Sequence, residues 1–148
     1  MTLQKWIAPL NPALADHHVR TETMDWIQTD AKGLAFIKVL WTGPETGHYA
    51  VIFRWLKGFV APSHKHLSAS HTYILSGQLK VRDTVLVAGD YIYEPNGMIH
   101  DATTALEDTD YLFIGEGALL FFEGETFTHV VGWEQMARTA RSGQVKPR

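Results

Sequence analysis

Short runs of β-forming residues, cut by Gly, Pro and Asp roughly every ten positions, occupy most of this chain and leave little room for helices. The runs are Leu34 to Trp41, Tyr49 to Trp55, Thr72 to Leu75, Gln78 to Arg82, Thr84 to Val87, Tyr91 to Glu94, Tyr111 to Ile114 and Ala118 to Phe122. Gly43-Pro44, Ser76-Gly77, Gly89-Asp90 and Pro95-Asn96-Gly97 close four of them. Regularly spaced short strands of this kind predict a sandwich or barrel. One short helix is predicted over 133–141, where Glu134 near the start and Arg138 and Arg141 near the end suit the helix dipole. The 148 residues amount to one domain, and no linker, repeat or low-complexity stretch divides them. The expected organisation is a single all-β domain over 31–148, helix included, with residues 1–30 as an N-terminal extension packed on its outside.

Charge and composition remove several function classes. The formal net charge is -3 and the basic residues are scattered, so nothing favours nucleic acid as a partner. There is no cysteine, which excludes disulfides, thiolate metal sites and cysteine nucleophiles together. No apolar run approaches the roughly 20 residues of a membrane span, and no signal peptide is visible. No membrane association and a cytoplasmic location are the expectation.

The histidines carry the functional signal. His64 and His66 are one residue apart, so in a strand both rings project from the same face. His71 follows after a loop of small residues, and His100 lies just beyond Pro95-Asn96-Gly97. Any metal would have to sit on these imidazoles or on carboxylates. Their spacing relative to glycine is specific: Gly58-x5-His64-x-His66-x4-His71-x5-Gly77, then Gly89-x5-Pro95-x-Gly97-x2-His100. This pair of motifs resembles those of the cupin superfamily, which implies a jelly-roll β-barrel. It also implies a divalent metal on His64, His66 and His100. His71 departs from the glutamate that many cupins carry there. Three readings stay open for it: a fourth ligand, a hydrogen-bond partner of a ligand, or a group that touches bound substrate. Imidazole suits iron, zinc, copper and nickel alike, so the residues do not name the metal.

The run from His64 to Gly77, the run from Gly89 to His100, and Gly132-Trp133-Glu134 are together similar to one subgroup. These are the small dioxygenases related to 2,4'-dihydroxyacetophenone dioxygenase, with acetylacetone dioxygenase more distant. The resemblance implies a non-haem Fe(II) dioxygenase that cleaves a C–C bond of a small ketone, a β-diketone or hydroxyacetophenone, with dioxygen as co-substrate. Zn or Ni is the other implied occupant of the site. Glu94 is expected as a supporting catalytic carboxylate, and Arg82 as its ion-pair partner across neighbouring strands. Phe53, Trp55, Tyr73, Tyr93, Phe113 and Phe121 are candidates for the pocket wall. A homo-oligomer, dimer or tetramer, is expected. The competing reading is a non-catalytic metal-binding cupin with a sensory or ligand-binding role.

Overall fold

The computed structural model describes residues 16–144, so the first half of the expected extension and the basic last four residues lie outside the described residues. The strands are β1 (Ile27–Gln28), β2 (Ala35–Gly43), β3 (His48–Trp55), β4 (Val60–Ala61), β5 (His64–His66), β6 (Ser70–Ser76) and β7 (Gln78–Val81). They continue with β8 (Thr84–Val87), β9 (Tyr91–Glu94), β10 (Ile99–His100), β11 (Thr103–Ala105), β12 (Thr109–Gly115), β13 (Leu119–Glu123) and β14 (Thr126–Val131). Helix α1 (Trp133–Gln144) closes the chain and runs three residues beyond the expected 133–141. The fold is therefore mostly β with one C-terminal helix. No helix among the described residues is long and apolar enough to cross a membrane.

Three antiparallel sheets form the body, in the orders β1-β2-β3-β12-β6-β9, β10-β5-β13-β14 and β4-β11-β7-β8. Hydrogen bonds do not close them into one continuous barrel among the described residues. The inner faces follow a period of two. Ser70, Thr72 and Ile74 of β6 are buried, as are Tyr49 and Val51 of β3, Leu79 and Val81 of β7, and Tyr111 and Phe113 of β12. With Ile37, Leu86 and Leu119 these apolar side chains make one core, to which α1 adds Met136. Strand β12 sits between β3 and β6, so its backbone is hydrogen-bonded on both sides and its inward side chains have little freedom.

The segment before β2 is fastened to the outer face of the large sheet. Lys38 Nζ and the Arg54 guanidinium lie 4.4 Å and 4.2 Å from the Trp26 ring centre, a doubled cation–π contact. Arg54 is itself held by a bidentate pair of 2.8 Å bonds to Asp110, its neighbour across the strands. Lys38 donates to the Thr21 carbonyl at 2.8 Å. On the other side, Gly143 of α1 lets the helix come against Ile27, because a Cβ there would overlap that side chain.

Two motif glycines are required for different reasons. Gly77 has φ +84, and a Cβ at this position would meet the Asp108 carbonyl and lie 2.7 Å from Thr109 Cα. Gly97 has φ +87 but open space around it. In urea unfolding, Gly77→Ala is expected to cost about 3 kcal/mol, strain plus overlap. Gly97→Ala is expected to cost only about 1 kcal/mol, for the left-handed conformation alone.

Candidate metal centre

Strand β5 supplies His64 and His66 to one face, and β10 pairs with it so that His100 stands directly opposite His64. Backbone hydrogen bonds of 2.8 Å from His66 N to the Met98 carbonyl and from Gly97 N to the His66 carbonyl lock the turn before β10 onto β5. All three imidazoles are buried, at 8%, 1% and 2% exposure. Each offers a ring nitrogen, and these atoms all lie within 4.8 Å of one another.

Two of the three rings are anchored from behind. His64 Nδ1 donates to the Pro62 carbonyl at 2.9 Å, which leaves Nε2 with the lone pair. His66 Nδ1 is 3.2 Å from Ser70 Oγ. Burial pushes His64 down to about 4, with the neighbouring His100 and His66 adding to that shift against the Pro62 bond, so the ring is neutral near pH 7. His66 Nε2 and His100 Nδ1 are buried without hydrogen-bond partners. Three buried imidazoles with ring nitrogens this close together are a donor set that suits a divalent transition metal, so the residues present fit such an ion.

Glu94, the last residue of β9, comes from the facing sheet to the same point. Its Oε2 accepts a hydrogen bond from His100 Nε2 and lies 3.0 Å from His66 Nε2, without the angle of a hydrogen bond to the latter. Burial alone would raise the carboxyl. The hydrogen bond from His100 and the close approach of the His66 ring outweigh it and hold Glu94 down at about 2, ionised.

Beside these groups lies a cavity of about 40 Å³. Trp55, Leu79, Val81, Leu86 and Ile92 make its apolar wall, with Thr72, Thr103 and Tyr111 as polar members beside His64, His100 and Glu94. A second feature is a cross-strand row of four rings. His100 stands opposite His64, His64 opposite Phe121, and Phe121 opposite His129. Phe121 lies 5.2 Å from the His64 ring centre, and His129 stacks on it at 4.7 Å with the planes 1° apart.

The structure thus brings His64, His66, His100 and Glu94 together and leaves His71 and Arg82 elsewhere. His71 is the second residue of β6, between inward Ser70 and Thr72, and period two turns it to the outer face. There Nδ1 meets the Tyr91 hydroxyl at 2.7 Å and Nε2 meets Glu116 at 2.9 Å, which ties β6 to β9 and to the loop after β12. Arg82 follows β7 at the turn into β8, past the last inward residue Val81, with φ 52. Its guanidinium lies against the Met98 sulfur, and the expected pairing with Glu94 is not made. Of the expected wall residues, Trp55 lines the cavity and Phe121 touches His64, whereas Tyr73 and Tyr93 are outward and exposed. The sequence offered no sign that Tyr111, Thr72 and Thr103 would reach the site, and His129, which shows no motif, is exposed as a residue without one is expected to be. Parity with buried neighbours on their own strands marks the first three only as inward. His129 lies on β14, which was not among the expected strands.

A family model described as the ChrR cupin-like domain matches residues 14–120. No curated protein matches the chain in sequence. Among solved structures, a candidate acetylacetone dioxygenase from Methylibium petroleiphilum PM1 superposes with TM-score 0.82 at 23% identity, covering 88% of this chain and 98% of that one. An acetylacetone dioxygenase from Acinetobacter johnsonii gives 0.81 at 19% identity, covering 87% and 93%. The anti-sigma protein ChrR of Rhodobacter sphaeroides, in complex with SigE, gives 0.55 at 24% identity, and the match covers 65% of this chain and 51% of that one. At these identities the likeness establishes the fold.

Single replacement of His64, His66 or His100 by Ala is expected to abolish stoichiometric metal uptake. His71→Ala is expected to leave metal affinity within about twofold, since its ring lies on the opposite face of β6. Metal analysis of dialysed protein and competition with a chromogenic chelator read both outcomes.

Proposed function

The chain belongs to the ChrR cupin-like family, and from that premise we propose that it is a metal-dependent dioxygenase. It would use non-haem iron to cleave a C–C bond of a small ketone such as a β-diketone or hydroxyacetophenone. The observation that carries this reading is the donor set. Three buried imidazoles converge, His71 adds no fourth, and the carboxylate beside them comes from a different strand. His64, His66 and His100 would hold the ion, and a three-ligand site of this kind would remain open to substrate. The ion would supply Lewis acidity and the redox chemistry for activating dioxygen. The fold shared with the acetylacetone dioxygenases supports this reading.

The remaining tasks fall to the protein. Glu94 would orient His66 and His100 and accept the α-proton as the ketone enolises. Leu79, Val81 and Leu86 would keep bulk water from the reacting carbon. A homo-oligomer belongs to the same proposal. Strands β9 and β14 are sheet edges that carry exposed Tyr91, Tyr93, Phe127 and Val130, and such edges call for cover.

A second reading is a metal-loaded sensory module, favoured by the family match and by the likeness to ChrR over about half of that protein. Oxygen consumption decides between the two. Fe(II)-reconstituted protein is expected to take up dioxygen with pentane-2,4-dione or 2,4'-dihydroxyacetophenone. Glu94→Gln is expected to lower turnover about 10- to 100-fold. Absence of uptake with either ketone, together with zinc in protein purified without added metal, would establish the sensory module instead.

A further inference from the structure

Tyr111 lines the cavity together with His64, Glu94 and His100. It is 4% exposed and lies on β12, the strand hydrogen-bonded on both sides. Its ring is held edge-on by Trp55 at 5.1 Å and packed against Phe53 at 5.3 Å. Those contacts are apolar, and a phenylalanine would make them equally well. The hydroxyl is what packing does not explain. No hydrogen bond among the described residues uses this hydroxyl, and unlike that of Tyr49 it is not sealed from open space, which leaves it free to meet a ligand. Thr72 and Thr103 line the same cavity, whose apolar wall includes Leu79, Val81 and Leu86. Burial, together with the charge of Glu94, pushes the Tyr111 phenol well above its ordinary value, so it is a neutral donor throughout the working pH range.

We propose that Tyr111 is a specificity-determining residue of this site. Its hydroxyl donates to an oxygen of a small oxygenated ligand, a 1,3-diketone or hydroxyketone, whose hydrocarbon part lies against Leu79, Val81 and Leu86. The inference rests on the reading of the site as one for small ketones and adds the group that selects them. A rigid donor on a central strand loses little entropy on binding. A ligand of the same shape without the oxygen would leave that donor buried and unpaired, which is how hydrogen-bonding sites reject analogues.

The test separates ligand binding from turnover. Full-length protein loaded with Zn(II) is titrated calorimetrically with pentane-2,4-dione, as wild type and as Tyr111→Phe. The variant is expected to bind the diketone about tenfold more weakly, with zinc content unchanged and the melting temperature within a few degrees of wild type. In the iron-loaded protein the same variant should raise KM with little change in kcat. Equal affinity of the two proteins for the diketone overturns the inference and leaves the dioxygenase reading standing. So does a lowered melting temperature with unchanged affinity, which marks Tyr111 as structural only. Weakened binding in the variant without oxygen uptake by the iron-loaded wild type supports the inference and removes the dioxygenase reading. A wild type that does not bind the diketone overturns both.

Discussion

Three imidazoles and one carboxylate are withdrawn from water where two sheets face each other, and most of the local architecture answers that demand. Buried polar groups are tolerable only when paired or committed to an ion. Pairing of β5 with β10 puts His100 opposite His64, and the turn before β10 is bolted to β5 through His66 and Met98. Pro62 and Ser70 occupy the outward nitrogens of His64 and His66. Glu94, arriving from the other sheet, supplies a counter-charge that neither β5 nor β10 contains.

What the sequence discloses of this arrangement is what depends on local geometry. The His-x-His spacing forces His64 and His66 onto one face whatever surrounds the strand. Gly77 must be glycine because its φ is positive and the Asp108–Thr109 backbone comes close. The strands around Tyr49, Thr72 and Tyr111 announce themselves through β-forming residues and the turns between them, and α1 through its charged ends. The length of α1 was less legible, because Ser142 and Gly143 are poor helix formers and only packing of Gly143 against Ile27 accounts for their inclusion.

Where the reading failed, the failure was one of parity or of pairing. His71 follows the small-residue loop 67–69, and the sequence does not say on which residue β6 resumes. Starting at Ser70 sends His71 outward, to Tyr91 and Glu116. Arg82 stands one step past the inward positions of β7, in a turn, and cannot be aimed at Glu94 from there. Strands as short as β1, β4, β5, β10 and β11 leave no periodic signal, since two or three residues fix no period; β1, β5 and β11 are fixed by longer neighbours, and β10 and β4 by β5 and β11 in turn. Tyr111 was legible as a core residue. Its place beside the histidines was not, because that depends on β9 and β12 both flanking β6.

The row His100, His64, Phe121 and His129 carries an implication for which substitutions this chain tolerates. Side chains in register across four strands do not change independently: the ring at position 129 sets the resting plane of Phe121, and Phe121 bounds the space in which His64 turns. Substitutions along the row should therefore be epistatic. A double-mutant cycle between 121 and 129 would carry a coupling term that the two single effects do not sum to. A solvent-facing residue on an edge strand would thereby acquire a restricted repertoire, inherited through two neighbours from a nitrogen it never touches.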